Sequence, residues 1–551
     1  MAALRNTLTL MLVFVGSYTL FSIQKPLRGP NSLQRPYYGS GLYDWGLLGL
    51  NPAQHYQSFT GSSIKPNVIR TDDRCSYGWF FVEPLNRLAQ QPFMIFDHDL
   101  NLVWTPTAPE WKNARDAKVQ SLDGNNYITF LYGSETSVGG QGYALIDNTY
   151  RLYKTVEPVG VLGYLSGLRL TSDGTALIII HHASTHPNKK PKDIDTVFQE
   201  IDLDSGKLLF EWRASDFIHG SGQPSNPNPT FFQLQNVDKD ADGNYLVSSG
   251  NTILCISKEN GKALWQLGGS GNEFRDESAG SATSLSNHHV ASWHNNTTLL
   301  VTNNNHGDNR SNILIYVKLS FDKMTATVIK DISPPVDTSS KMDTFQLLGN
   351  DHILAQDTTT SKVIESSVNE TFCEVDFAPS RLSSRWTTKY HVSKYEWSAN
   401  PQTSPDIAVR PDEGAIYVSW NGGTDIDAWI LQSGPKTEGT VFIDHLRISK
   451  TSFETRIELP RRTEEYIRVV ALDKKWKMAS HSVAVSRHVP FGGSRRVPVL
   501  LALAEGIFRI RTRIILLALV FCIMLYCYLG ACLPLFRKMR HPNSPRARKN
   551  L

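Results

Sequence analysis

The sequence predicts an all-β fold: a β-propeller of five or six blades, then a small immunoglobulin- or fibronectin-like sandwich, then a C-terminal transmembrane helix. Three observations carry this reading. Short alternating strands recur behind Asp/Gly or Asn turns, hairpins with Asp- or Gly-rich tips fall between them, and one uncharged apolar run near the end is long enough to cross a bilayer.

The repeat comes first. Asp123-Gly124 precedes Tyr127-Ile128-Thr129-Phe130, Asp173-Gly174 precedes Ala176-Leu177-Ile178-Ile179, and Asp242-Gly243 precedes Tyr245-Leu246-Val247. Weaker copies follow at residues 295–301 and 350–355. An Asp-Gly pair supplies the positive φ angles of a tight hairpin, and a period-two apolar pattern gives a strand one face to bury. The second unit is a hairpin at residues 198–212 around Asp204-Ser205-Gly206-Lys207, repeated at residues 253–265 around Asn260-Gly261-Lys262. The two units alternate at roughly 50 to 70 residues, close to one four-stranded blade with its loops. Residues 60–400 are assigned to the propeller on this basis.

A different pattern begins at residue 401. Ala415-Ile416-Tyr417-Val418-Ser419-Trp420 and Tyr466-Ile467-Arg468-Val469-Val470-Ala471 read as a strand with a core Trp and a later Tyr-x-Val-x-Ala strand. That pair suits a small sandwich over residues 401–488. Residues 489–513, rich in Pro, Gly and Arg, read as a linker. Residues 514–536 read as the membrane span, and residues 537–551, with Arg537, Lys538, Arg540, Arg546, Arg548 and Lys549, as a basic cytosolic tail. Residues 1–24 read as a signal peptide or signal anchor. The expected location is therefore a membrane of the secretory pathway, endoplasmic reticulum or cell surface, with a single C-terminal pass and a lumenal or extracellular body.

Composition narrows the partners. A formal net charge of +4 over 551 residues leaves no electrostatic footprint for nucleic acid. Cys75, Cys255 and Cys373 lie in the body, which allows one disulfide and leaves one thiol over, while Cys522, Cys527 and Cys532 lie in the apolar run. Asn295, Asn296, Asn309 and Asn369 each begin a glycosylation sequon. No phosphate loop, nucleophile elbow or dinucleotide fingerprint occurs, so no cofactor is expected.

Histidines supply the candidate chemistry. His288, His289 and His294 cluster, but no carboxylate accompanies them at a metal-ligand spacing, so no metal site is expected. His181, His182 and His186 stand beside Lys189, Lys190 and Lys192 and read as a solvated loop. Asp238-Lys239-Asp240-Ala241-Asp242-Gly243 imitates the start of a calcium loop, yet its twelfth position is Ser249, so a β-turn is expected there.

Several motifs stand in order along the chain: Val197-Phe198-Gln199-Glu200-Ile201-Asp202 with Phe210-Glu211-Trp212-Arg213, then residues 236–246, then Leu264-Trp265-Gln266-Leu267-Gly268-Gly269, and Val418-Ser419-Trp420-Asn421-Gly422. Together they resemble the arylsulfotransferase family in its fungal-type branch. The likeness runs over roughly residues 60–435. It implies a propeller that moves a sulfuryl group from one phenolic sulfate ester to another phenol, with a histidine as covalent acceptor and neighbouring His, Asn and Arg groups holding the anionic oxygens. The acceptor position falls on His289, within Asn287-His288-His289-Val290.

Around that histidine the chain departs from the family pattern, giving a degenerate active site. Phe232-Gln233-Leu234-Gln235 stands where the family has Phe-His-x-Asn, Gly250-Asn251 stands at the family arginine, and Ser166 takes another histidine position. His289 is thus the catalytic candidate, with His288, Gln233, Gln235 and Asn251 as substrate-binding candidates. Three functions follow: a membrane-bound arylsulfotransferase-like protein, a repurposed propeller that binds, positions or cyclises a phenolic or lipophilic metabolite in a natural-product pathway, and a non-catalytic lumenal adaptor.

Overall fold

A computed structural model describes residues 35–85, 92–133, 140–183, 194–216, 233–285, 291–303, 313–333, 335, 342–368, 370–439 and 441–492. Within them the chain is almost wholly strand and turn. Six four-stranded antiparallel units dominate. Sheet 2 orders Arg115–Leu122, Asn125–Gly133, Gln141–Ile146 and Leu152–Val156. Sheet 3 orders Tyr164–Leu170, Thr175–Ala183, Ile194–Asp202 and Leu208–Arg213. Sheet 4 orders Asn236–Lys239, Tyr245–Ser249, Thr252–Ile256 and Ala263–Leu267. Sheet 5 orders Ala291–Asn295, Thr298–Asn303, Ile313–Ser320 and Thr325–Ile332, with Arg275–Asp276 on its outer edge. Sheet 6 orders Thr344–Leu347, Ile353–Asp357, Lys362–Ser366 and Thr371–Asp376 and is widened by Asn67–Arg70 and Tyr37–Tyr38.

Sheet 1 is assembled from two distant parts of the chain. Trp79–Pro84, Met94–Phe96 and Leu102–Trp104 follow one another, but the strand placed first in the order is Tyr390–Tyr395. Its register runs from Tyr390 opposite Pro84 to Tyr395 opposite Trp79.

The repeated turns explain why these sheets form. In sheet 2, Leu122 pairs with Asn125 across Asp123 and Gly124, whose φ angles of 50° and 75° give the doubly positive turn that follows strand twist. The sequence hairpins join third to fourth strands: the amide of Gly206 donates to Asp202 and that of Gly261 to Ser257, both at 2.9 Å.

No sheet closes on itself. Instead, each packs a face on the next, and every one of the six junctions has its own apolar core. Phe81 and Ile95 meet Ile128 and Phe130 between sheets 1 and 2. Tyr143 and Leu145 meet Ile178 and Ile180 between 2 and 3. Ile179 and Phe198 meet Val247 and Leu254 between 3 and 4. Leu246 and Leu267 meet Leu299 and Ile315 between 4 and 5. Leu314 and Tyr316 meet Ile353 and Ile364 between 5 and 6. Leu354 and Val363 meet Phe80 and Val82 between 6 and 1. A cycle of six packed sheets is a propeller-like β fold, and burial of each large apolar side chain contributes about 1.5 to 3 kcal/mol. The first strands of sheets 1 to 5 touch in succession, so they line the middle.

The last junction carries extra ties. Cys75 and Cys373 are disulfide-bonded across 298 residues of chain, and Cys255 remains a buried thiol. Beside the bridge, buried Glu365 pairs with Lys394 at 3.0 Å and with His352 at 3.3 Å.

Beyond sheet 1, two further sheets face each other. One has Asp406–Arg410, Ala415–Ser419 and Glu454–Glu458, and the other Ile443–Ser449, Ile426–Gly434, Tyr466–Asp473, Met478–His481 and Val485–Ser486. Trp429, wholly buried, fills the space between them with Val409, Val418, Leu431 and Val469, and Trp420 joins the same cluster. This pair is docked on the propeller-like body. Buried Glu454 accepts the amides of Gln57 at 2.7 Å and Ser58 at 2.6 Å, and Phe453 packs on Tyr56 with ring centroids 4.6 Å apart.

The expected membrane topology is corrected. A spanning helix needs about 20 consecutive apolar residues, and among the described residues no helix is long and apolar enough to cross a membrane. The α-helix Gly41–Asp44 has four residues. The single C-terminal pass at residues 514–536, its basic tail at 537–551 and the segment at 1–24 lie outside the described residues, and the anchored lumenal body drawn from them is withdrawn.

Candidate functional site

Because all first strands run the same way, their beginnings collect at one rim with the ends of the second strands. The register shows this directly: Tyr164 lies opposite His181, Asn236 opposite Ser248, and Ala291 opposite Val301. We call this the entry rim. At sheets 4 and 5 the Asn236 side-chain amide donates to the Ala291 carbonyl at 2.7 Å, joining the starts of two neighbouring first strands.

The entry rim gathers the candidates of sheet 4. The Gln235 amide donates to Ser248 O at 2.9 Å, which fixes the segment leading into the first strand. Gln233 lies exposed two residues earlier. Asn251 is exposed in the turn after Gly250, whose φ is 54°, and its Oδ1 accepts the Thr252 hydroxyl at 3.2 Å. The following loop presses on this turn: a Cβ on Gly268, at φ 78°, would stand 2.5 Å from Asn251 O, so only glycine fits. Sheet 4 therefore brings Gln233, Gln235 and Asn251 to one rim. His288 and His289 lie outside the described residues, in the chain just ahead of Ala291.

Several buried polar atoms at this rim lack partners. Gln235 Oε1, Ser248 Oγ, Ser249 Oγ and Gln141 Nε2 have no hydrogen-bond partner among the described residues. Ser248 is wholly buried and Ser249 3% exposed, so each hydroxyl is cut off from bulk water. An unmade hydrogen bond of this kind costs about 1 to 3 kcal/mol. Such atoms at the mouth of a ring mark a place for a ligand's polar groups.

Sheet 3 corrects one expectation. His181 and His182 lie on the strand Thr175–Ala183 and not in a solvated loop, while His186 and the lysines beside it lie outside the described residues. His181 is buried, with Nε2 2.6 Å from Ser166 Oγ and Nδ1 3.1 Å from Thr196 Oγ1. Burial holds its imidazole below the ordinary value, so the ring is neutral at neutral pH. His182 faces the other way, 3.3 Å from Arg213 and 3.8 Å from Asp195. The only signal available beforehand was Ser166, which stands at a histidine position of the resembling family.

The opposite rim, formed by first-strand ends and second-strand starts, is chemically different. Between sheets 3 and 4 it holds a cavity of about 650 Å³ whose buried carboxylates are paired with cations. Lys239 bridges Asp173 at 2.9 Å and Glu200 at 2.8 Å, Arg169 meets Asp238 at 2.9 Å, and Tyr245 donates to Glu200. Burial opposes ionisation of Glu200, but hydrogen bonds from Lys239, Thr175 and Tyr245 outweigh it and hold the carboxyl below its ordinary range. Asp238 and Lys239 end the first strand, and the expected turn follows at Asp240 to Gly243, with the Asp240 amide donating to Asn244 O at 2.9 Å. Among the described residues no group of three His, Cys, Asp or Glu is placed to hold a metal.

Between sheets 4 and 5 the same rim has a cleft of about 510 Å³ lined by Trp265, Trp293, Phe321 and His294. The Trp293 indole N–H is buried with no partner among the described residues. Asn295 and Asn296 are exposed at the hairpin tip beside it, whereas Asn309 and Asn369 lie outside the described residues.

Fold and rim together define an all-β, propeller-like protein with a polar entry rim. Residues 118–376 match the family model Arylsulfotransferase (ASST). The match covers sheets 2 to 6 and ends at the last residue of sheet 6, a narrower reach than residues 60–435. No curated protein matches the chain.

Among solved structures, a Bacteroides caccae protein of unknown function is similar at 15% identity, over 54% of this chain and 94% of that one, with a TM-score of 0.33. A putative 6-phosphogluconolactonase from Bacteroides fragilis is similar at 12% identity over 70% and 99%, TM-score 0.31. Virginiamycin B lyase from Staphylococcus aureus is similar at 9% identity over 65% and 96%, TM-score 0.30.

Proposed function

We propose that this arylsulfotransferase-like protein transfers a sulfuryl group between phenolic compounds, without a cofactor, at the entry rim of sheets 4 and 5. The carrying observation is the coincidence of the family match over residues 118–376 with the unpartnered Gln235 and Ser248 atoms at that rim. In this reading His289 accepts the sulfuryl group: a ring nitrogen bonds sulfur, the S–O bond to the donor phenol breaks, and the phenolate leaves. A second phenol then attacks sulfur, loses its proton to solvent and frees the histidine. His288, Gln233, Gln235 and Asn251 supply neutral contacts to the sulfuryl oxygens. Neutral donors hold an anion less strongly than charged ones, so slow turnover is expected.

The test is incubation of the purified protein with 4-nitrophenyl sulfate and a phenol acceptor, beside His289→Ala. Acceptor-dependent release of 4-nitrophenol that the variant lacks supports the reading. No release, or equal release from the variant, overturns it.

A second reading, binding of a phenolic or lipophilic metabolite without transfer, draws on the aromatic cleft of Trp265, Trp293 and Phe321. Aromatic walls favour an aromatic guest, and the unpartnered indole N–H suits a phenolic oxygen. Quenching of tryptophan fluorescence by simple phenols, abolished in Trp293→Leu, is its expected signature. Unchanged quenching in the variant removes it.

A further inference from the structure

The innermost strand of sheet 3 carries an irregularity at Ser166. Leu165 pairs with Ile180 and Leu168 with Ile178, so Ser166 and Gly167 together oppose the single residue Ile179. A bulge of this kind re-aims a side chain out of the regular pleat. Ser166 is exposed, while the His181 ring that it meets is buried. Serine hydroxyl, imidazole and a second hydroxyl stand in series, at 2.6 Å from Ser166 Oγ to His181 Nε2 and 3.1 Å from His181 Nδ1 to Thr196 Oγ1.

With Thr196 accepting the Nδ1 proton, Nε2 is left free to accept from serine, which is the tautomer a general base requires. Beside the bulge, Gln141 Oε1 accepts the Leu165 amide at 3.3 Å. The other end of that amide, Nε2, is a donor without a partner among the described residues, on a residue 7% exposed.

We propose that Ser166 is a nucleophilic serine for carboxylic esters, with His181 as its base, Thr196 as a positioning residue and the Gln141 amide as a donor to the carbonyl oxygen. The four groups are uncharged, which suits a neutral ester carbonyl better than a sulfate anion. The step balances as acyl transfer. Ser166 Oγ bonds the carbonyl carbon as its proton passes to His181 Nε2; the bond to the leaving alcohol breaks, and that oxygen takes the proton from His181. Water then cleaves the acyl-serine, releasing the acid and restoring the hydroxyl. None of these residues is a member of the proposed sulfuryl-transfer set, so the two readings stand or fall separately.

Fluorophosphonate labelling tests it, because the probe forms an O–P bond with an activated serine and expels fluoride. One label per chain is expected, mapped by peptide mass to Ser166, lost in Ser166→Ala and slowed by the competing ester 4-nitrophenyl acetate. His181→Gln should label about 100-fold more slowly, the scale of a lost general base. Thr196→Val should reach full labelling with a shifted pH midpoint, which a merely structural hydroxyl would not produce. Absence of label on Ser166 in the folded wild-type protein, under conditions that label a serine esterase, overturns the proposal whether or not the variants fold. An unchanged rate in a folded His181→Gln protein overturns it as well.

Discussion

The two rims of the six-sheet body use polar residues in opposite ways. On the far rim of sheets 3 and 4, each buried charge has its counter-charge: Glu200 is met by Lys239, Thr175 and Tyr245, and Asp238 by Arg169. On the entry rim of the same sheet 4, Gln235 Oε1, Ser248 Oγ and Ser249 Oγ are buried without partners among the described residues. A cavity of about 650 Å³ lies on the paired side. Volume alone does not distinguish a structural ion network from a ligand mouth; whether the polar atoms are already satisfied does.

Three experiments press on that contrast. The largest effect is expected from Glu200→Ala, which takes the buried carboxylate from Lys239, Thr175 and Tyr245 and leaves Lys239 only the more exposed Asp173. Breaking a buried pair from one side costs about 3 to 5 kcal/mol, to be read as a lower urea midpoint. Loss below about 1 kcal/mol would mean that the network is ornamental and the contrast between the rims is not energetic.

An intermediate effect is expected from Asp376, an entry-rim residue at the end of the fourth strand of sheet 6. Burial raises its carboxyl pKa to about 7, and Lys362 at 3.8 Å is too far for a hydrogen bond. A carboxyl raised in the folded state favours folding fully below the unfolded value near 3.8 and loses that contribution as pH rises through about 7. The wild-type melting temperature should thus fall between about pH 4 and pH 7 relative to Asp376→Asn and level off above that. Parallel pH profiles for the two proteins would place the ionised carboxylate in a better-solvated setting than the structure gives it.

The smallest effect belongs to Ser248→Ala. Deleting a hydroxyl that has no partner removes a desolvation cost, so stability should stay within about 0.5 kcal/mol or rise. A loss above about 1 kcal/mol would reveal a hidden partner and weaken the case for a ligand mouth.

Much of the fold was legible because its turns are local. Asp123-Gly124 and Asp242-Gly243 declare hairpins within four residues, and the apolar alternation behind them fixes which face is buried. Sheet 1 was not legible in this way, since the partner of Trp79–Pro84 is Tyr390–Tyr395 and no short-range pattern encodes that pairing. The histidines of sheet 3 were misread for a related reason. The strand continues past its apolar run Ala176–Ile180 into His181 and His182, where composition turns polar although the ladder goes on. Gln233, Gln235 and Asn251 were named from family likeness and meet on sheet 4, but the unpartnered state of Ser248 depends on tertiary burial that no motif records. The disulfide was legible only as one bridge among three cysteines; the cycle of sheets selects Cys75 and Cys373.

The composite make-up of sheet 1 also sets an order in time. Trp79–Pro84 leaves the ribosome without the strand that completes its sheet, which arrives only with Tyr390–Tyr395. At about 5 to 20 residues per second this interval lasts on the order of 15 to 60 seconds. Throughout it, Phe80, Phe81 and Val82 belong to an open apolar edge on a nascent chain. A synthesis stalled short of residue 390 would leave a body with all its other repeats and no latch, the form in which this protein is most exposed to chaperones and to aggregation.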